Sequence, residues 1–301
     1  MKLRIGPDGV HAFDRKTGLN ILFDEARADE RLWSKAPRQI SIALTNLCDL
    51  QCSYCYAPKQ RAALNASLVA TWLEELDKAG CLGIGFGGGE PTLHPEFSQI
   101  CQHAKEKTRL AVTFTTHGHR LRPQLLKEIA GHVNFIRVSV DGVGSTYEKL
   151  RNRPYEDLLE NLRRAREITP IGINVVVNDE TFKDLDELTE LAERIDASEI
   201  LLLPQQRTYR VSAASPALLS QLDSWIRRKS AGIRLAVSVA GATGLPTCDP
   251  LPNETGLRSY AHIDAVGRIK ESSYGIGGIP ISNSGVLHAL RKLKDFTETQ
   301  A

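Results

Sequence analysis

The chain has 301 residues, 42% of them hydrophobic, enough for one large domain with a real core or a domain with appendages. Its 38 basic and 36 acidic residues leave a formal net charge of +2, too balanced for a surface dominated by phosphate contacts, so no nucleic-acid partner is expected. No apolar run approaches the roughly 18 residues that cross a bilayer, and the N-terminus lacks the apolar core of a signal peptide. No membrane partner is expected, and the location expected is cytoplasmic. Six cysteines, three of them clustered, do not read as a disulfide framework and suit a reducing compartment.

Residues 1–37 are expected to form a small β-meander. Turn signals at Pro7-Asp8-Gly9 and Lys16-Thr17-Gly18 separate short runs such as Val10 to Phe13 and Leu19 to Phe23. The piece is too small for a core of its own and should pack on the main body. From Gln39 a strand-then-helix rhythm begins. Ile40 to Leu44 delivers the chain into a cysteine-rich loop, and Asn65 caps a helix with Leu68, Val69, Trp72, Leu73 and Leu76 on one face. Further strands are expected at Cys81 to Phe86, Leu110 to Thr115, Phe135 to Val140, Ile171 to Val177 and Ile200 to Leu203. Amphipathic helices follow, marked by Phe97, Ile100, Cys101 and Ala104; by Tyr155, Leu158, Leu159, Leu162 and Ala165; and by Phe182, Leu185, Leu188, Leu191 and Ile195. Ser215-Pro216 starts another, with Leu218, Leu222, Trp225 and Ile226 inward.

Six such units without hairpin signals mean parallel strands joined by crossovers. The fold class expected is α/β: a partial (β/α)6 TIM-like barrel over residues 38–231, with a doubly wound flat sheet as the alternative. Either arrangement places the loops after the strands on one functional face. After about Ala231 the rhythm changes. Ile233, Leu235, Val237 and Val239 alternate, and short runs follow at Ala261 to Asp264 and Arg268 to Ile269, with a last helix from about Gly285 to Leu293. Residues 232–301 therefore read as a small α/β extension rather than a seventh unit.

The chemistry centres on Thr45 to Tyr56, TNLCDLQCSYCY. Cys48, Cys52 and Cys55 stand in a C-x3-C-x2-C spacing on a loop just after a strand. Three thiolates can hold three irons of a cubane and leave the fourth open for a substrate or cofactor. A structural zinc site would need four closed ligands, and no further cysteine or histidine lies nearby in sequence. The turn Gly87-Gly88-Gly89-Glu90-Pro91 also follows a strand, and so faces the same side. A glycine run alone is more often just a tight turn. Cys81 and Cys101 read as core residues.

The cysteine loop, with Tyr54 just before its third cysteine, resembles that of the radical S-adenosylmethionine superfamily, over about residues 39–205. The resemblance implies one [4Fe-4S] cluster on Cys48, Cys52 and Cys55, with S-adenosylmethionine chelating the open iron. Reduction then releases a 5′-deoxyadenosyl radical that takes a hydrogen atom from the substrate. An external one-electron reductant, flavodoxin- or ferredoxin-like, is implied as a partner. Gly88, Gly89 and Glu90 resemble the turn that receives the methionyl ammonium. Ser139 and Asp141 sit where family members contact the methionyl group or ribose, although an ordinary capped strand end would look the same. Asn178, Leu203 and Gln205 are placed to touch ribose or adenine. Where the family often has Thr-Asn-Gly, this chain has Thr116-His117-Gly118, so His117 either faces the cavity or is a loop residue. Arg151 and Arg153 either clamp a substrate carboxylate or are solvated at a helix start.

Residues 261–269, AHIDAVGRI, resemble the strand, Asp-x-x-Gly turn and strand of the SPASM or twitch extension found in many peptide-modifying members. There a cysteine follows and ligates an extra cluster; here the place is Glu271-Ser272-Ser273, so the extension is read as having lost its cluster. Cys248 is either a leftover thiol or a hydrogen-atom donor to a substrate radical. The function implied is a radical enzyme acting on a peptide or ribosomally made natural-product precursor. A small-molecule substrate such as a sugar or nucleoside is the alternative, and an iron-sulfur electron carrier stands behind both. Nothing resembles a complete winged-helix peptide-recognition domain.

Overall fold

The computed structural model describes residues 1–229 and 232–300. Strands β1 (Lys2–Gly6), β2 (Gly9–Phe13) and β3 (Asn20–Phe23) form the expected antiparallel meander. Its polar side faces the body. Arg4 is buried, its guanidinium donating to Glu254 Oε1 at 2.6 Å and to the Ala36 and Gly80 carbonyls at 2.8 and 3.0 Å, and Lys2 pairs with Asp77. Buried charges persist only where they are paired in this way. Leu3, Ile21 and Phe23 are left exposed.

The body alternates strands and helices: β4 (Gln39–Thr45), α1 (Ala66–Lys78), β5 (Gly83–Gly88), α2 (Phe97–Lys107), β6 (Ala111–Thr116), α3 (Pro123–Ile129) and β7 (Phe135–Ser139). It continues with α4 (Ser145–Arg151), α5 (Tyr155–Ile168), β8 (Ile171–Val177), α6 (Leu185–Arg194), β9 (Glu199–Pro204), α7 (Pro216–Arg228) and β10 (Arg234–Val237). Strands β11 (Tyr260–Ile263), β12 (Arg268–Lys270) and β13 (Ile279–Pro280) follow, then α8 (Val286–Gln300).

Strands β4 to β10 lie side by side in chain order and all pair parallel. This order decides between the two expected architectures. Right-handed crossovers that always step to the next strand place every helix on the same side, so the sheet curls toward a barrel. A doubly wound sheet would need the order to reverse. Alternate residues carry the division: Ile40, Ile42, Leu44, Ile84, Phe86, Val112, Phe114, Ile136 and Val138 are buried in the core with the helices. Their neighbours Gly85, Gly87, Thr113, Thr115 and Ser139 turn to the other face and stay partly open.

Two expectations need correction. The strand expected at 233–239 is β10, and it pairs parallel with β9, Leu235 opposite Ile200. It continues the series through α7 and is not set apart; its alternation reflects its position at the end of the sheet. The expected boundary at residue 231 lies outside the described residues. β11 likewise joins the main sheet, parallel to β4 with Ala261 opposite Ile40, and so covers an edge of the first barrel strand. The second correction is α4, a helix that the sequence pattern does not show.

Candidate active site

The cysteine loop leaves β4 through an irregularity, the register with β5 shifting between Ala43 and Thr45. The glycine turn then locks onto that loop. Gly88 has a φ of +122°, and a Cβ on it would meet the Thr45 carbonyl oxygen at 2.1 Å; a Cβ on Gly89 would meet the Leu47 oxygen at 2.2 Å. This close approach lets Gly89 N donate to Thr45 O and Glu90 N to Leu47 O, both at 2.7 Å. Only glycine permits it. Two stretches that the sequence shows as separate motifs are therefore one backbone unit.

Glu90 is fully buried and fully engaged. Its carboxylate accepts from Thr92 N and Oγ1, from Thr116 Oγ1 at 2.9 Å and from His117 N at 2.9 Å. His117 joins the two halves of the site. Its Nδ1 accepts from His119 N at 3.1 Å, so Nε2 carries the ring proton and donates to Asp49 Oδ1 at 2.8 Å. Cys48, Asp49 and His117 offer ligand atoms within 4.8 Å of one another. A histidine does therefore lie near the cysteines in space, contrary to what the sequence suggests. With both ring nitrogens in hydrogen bonds, it has no lone pair left for a metal. His119, which donates to or accepts from Tyr147 Oη at 2.8 Å, is held neutral down to a pKa of about 4 by burial and by His117.

Cys48, Cys52 and Cys55 are free thiols gathered with Leu50, Tyr54, Leu150 and Val176. Burial pushes the Cys48 thiol up to about 11, so a metal must displace its proton. The Asp141 carboxylate is engaged within the protein, as a capped strand end would be: Oδ1 accepts from Val176 N at 2.7 Å, and Oδ2 accepts from Tyr54 Oη at 2.7 Å and pairs with Arg151. Arg151 is not solvated; it ends α4 and its Nη1 reaches Cys52 Sγ at 3.5 Å. Arg153 Nη2 donates to Asp49 O at 3.0 Å. Ser139 ends β7, opposite Asn174 of β8. Asn178 caps its own turn through Oδ1 and gives Nδ2 to Gln205 Oε1 at 3.1 Å, while Leu203 is half-buried on β9. Cys248 is exposed between β10 and β11, and no contact among the described residues ties it to the loop.

The turn from Asp264 to Gly267 joins β11 to β12 as expected, with Gly267 N donating to Asp264 O at 2.9 Å. The following Glu271-Ser272-Ser273 leads to Tyr274, whose ring lies 4.6 Å from that of Tyr56, the residue after Cys55. The extension thus packs directly on the cysteine loop.

Residues 42–192, half of the chain, match the model of the family described as the Radical SAM superfamily. The chain belongs to that superfamily. The mycofactocin maturase MftC of Mycolicibacterium smegmatis is 28% identical over 54% of this chain and 43% of its own length. An AdoMet-dependent heme synthase of Methanosarcina barkeri is 25% identical over 69% of this chain and 63% of its own. The chain therefore spans less than two thirds of the length of either of these curated relatives. The fold matches Streptococcus suis SuiB, solved bound to S-adenosylmethionine, with a TM-score of 0.72 at 14% identity over 90% of this chain and 81% of that one. SuiB solved with precursor peptide SuiA also gives 0.72, at 16% identity over 86% and 65%.

Membership of the radical SAM superfamily implies an iron-sulfur cluster and S-adenosylmethionine, and the residues present suit both. Three unpaired thiols share one loop. Gly87, on the face opposite the helices, has open space where a Cβ would stand. Arg151 Nε and Asn174 Oδ1 are buried without a hydrogen-bond partner, as expected of a polar site that takes a ligand. No helix among the described residues is long and apolar enough to cross a membrane.

Proposed function

We propose that the chain is a radical enzyme whose single [4Fe-4S] cluster is held by Cys48, Cys52 and Cys55. The observation that carries the reading is the lock between the cysteine loop and the Gly88-Gly89-Glu90 turn, with its 2.7 Å backbone bonds. Bound there, the cluster and S-adenosylmethionine would supply a 5′-deoxyadenosyl radical for hydrogen-atom abstraction. Glu90 offers buried negative charge to the methionyl ammonium, with Thr92, Thr116 and His117 fixing its two oxygens. Ser139, Asn178, Leu203 and Gln205, at the ends of β7, β8 and β9, line the side where ribose and adenine would lie. Electrons come from an external flavodoxin- or ferredoxin-like donor.

For the substrate we propose a peptide or ribosomally made precursor. The maturase relative and the SuiB complex with a precursor peptide support this. The free edge of β3 supports it too, because an extended peptide can add to such an edge. The heme synthase relative favours a second reading, a non-peptide small molecule. The test is anaerobic reconstitution followed by reduction with S-adenosylmethionine present. The expected result is about four irons per chain and release of 5′-deoxyadenosine, with release lost in Cys52→Ala. A loaded, reduced protein that binds the cofactor and releases none would mark an electron carrier instead.

A further inference from the structure

A buried ion pair lies against the cysteine loop, outside the glycine turn. The Arg151 side chain is 10% exposed and the Asp141 side chain 1%. Asp141 is held from both sides, by Val176 N on Oδ1 and Tyr54 Oη on Oδ2, each at 2.7 Å. The guanidinium it holds stands 5.7 Å from the centre of the Tyr54 ring and presents Nη1 to Cys52 Sγ at 3.5 Å. Its direction is thus fixed by a carboxylate that is itself fixed, and by an aromatic face.

We propose that Arg151 sets the reduction potential of the cluster ligated by Cys52, through its N–H contact to the sulfur and the orientation of the Arg151–Asp141 pair. This rests on the cluster assignment above. Adding an electron makes the iron-sulfur unit more negative, and hydrogen bonds and nearby cations at a ligand sulfur favour that state. Asp141 neutralises part of the effect. Its oxygens, however, also accept from Val176 and Tyr54, so the sulfur meets the positive end of the pair. Burial keeps water from screening that end.

The test is a potentiometric titration of the reconstituted protein without S-adenosylmethionine, read by the EPR signal of the reduced cluster. Arg151→Gln should lower the equilibrium constant for reduction at least tenfold, a shift of about 59 mV to more negative potential. Arg151→Lys, which keeps a charge without the planar fork, should fall less. Asp141→Asn should shift the other way, since it leaves the cation uncompensated. Opposite signs are the signature, because a merely loosened loop would move all three variants together. If Arg151→Gln takes up no iron, the lysine and asparagine variants carry the same contrast. Shifts in one direction, or all within twofold of wild type, overturn the proposal alone. A wild-type chain that takes up no iron overturns the cluster assignment with it.

Discussion

Replacing Gly88 with alanine should separate the two halves of the site. The residue has φ +122°, a conformation that costs a side-chain-bearing residue about 1–3 kcal/mol. Its new Cβ would lie 2.1 Å from the Thr45 carbonyl oxygen, a backbone atom that no rotamer change can move away. Strands β4 and β5 must part, which weakens Gly89 N to Thr45 O and Glu90 N to Leu47 O. Those bonds are worth about 1 kcal/mol each, so the loss comes to about 3–5 kcal/mol. In a chain of this size each kcal/mol moves Tm by about 1.6 °C, giving a fall of about 5–8 °C. Circular dichroism melting of the metal-free protein measures this, and an anaerobic iron count after reconstitution shows whether the cysteine loop still loads. Gly87→Ala is the control, because its Cβ meets nothing within 4 Å and should leave Tm within about 2 °C. A Gly88→Ala protein with wild-type Tm and full iron would refute the claim that the two loops are one unit.

Glu90→Gln keeps the shape but removes the buried anion, and should weaken S-adenosylmethionine binding at least about tenfold in equilibrium dialysis of the loaded protein; unchanged affinity would leave Glu90 only a structural role. Phe114→Ala removes a fully buried ring that meets Phe97 edge-on at 5.1 Å, and urea unfolding should register a loss of about 3–5 kcal/mol. A loss under about 1 kcal/mol would contradict the packing. His262, buried on β11 and bonded to Ser41, is depressed to about 4 by burial, with Lys270 adding to it. The unfolded chain accepts a proton that the folded chain resists, so stability is full above about pH 6.5 and is lost progressively as pH falls toward 4. His262→Gln should remove up to about 3 kcal/mol of that loss in urea titrations, whereas curves of equal slope for variant and wild type would count against it.

What the sequence reveals of this molecule follows from what each residue answers to. The parallel units are legible because burial against helices selects runs such as Ile171 to Val177, and the helices repeat apolar residues at helical spacing. Helix α4 is not legible: of its seven residues only Tyr147 is buried, and the left-handed Asn152 that ends it is a weak signal. Strands β10 and β11 are legible as strands but not in their partners. Nothing local tells His262 that it will face Ser41, 221 residues away.

The same division runs through the site. Gly88 and Gly89 are readable because close backbone approach demands one residue type, and Cys48, Cys52 and Cys55 stand out by their spacing alone. Asp141, Arg151 and His117 are residue types that usually lie in water, and their roles arise only once the chain brings partners to them. Asp141 looks like an open strand end until Val176 and Tyr54 occupy it, and Arg151 looks solvated until α4 turns it inward. Had α4 been visible, the pairing would still have been one of several, because Arg151 and Arg153 sit two residues apart. Asn152 decides between them: its left-handed turn ends α4, with Arg151 directed to Asp141 and Arg153 half-buried beside the Asp49 carbonyl. The buried cation beside Cys52 therefore goes with one helix cap.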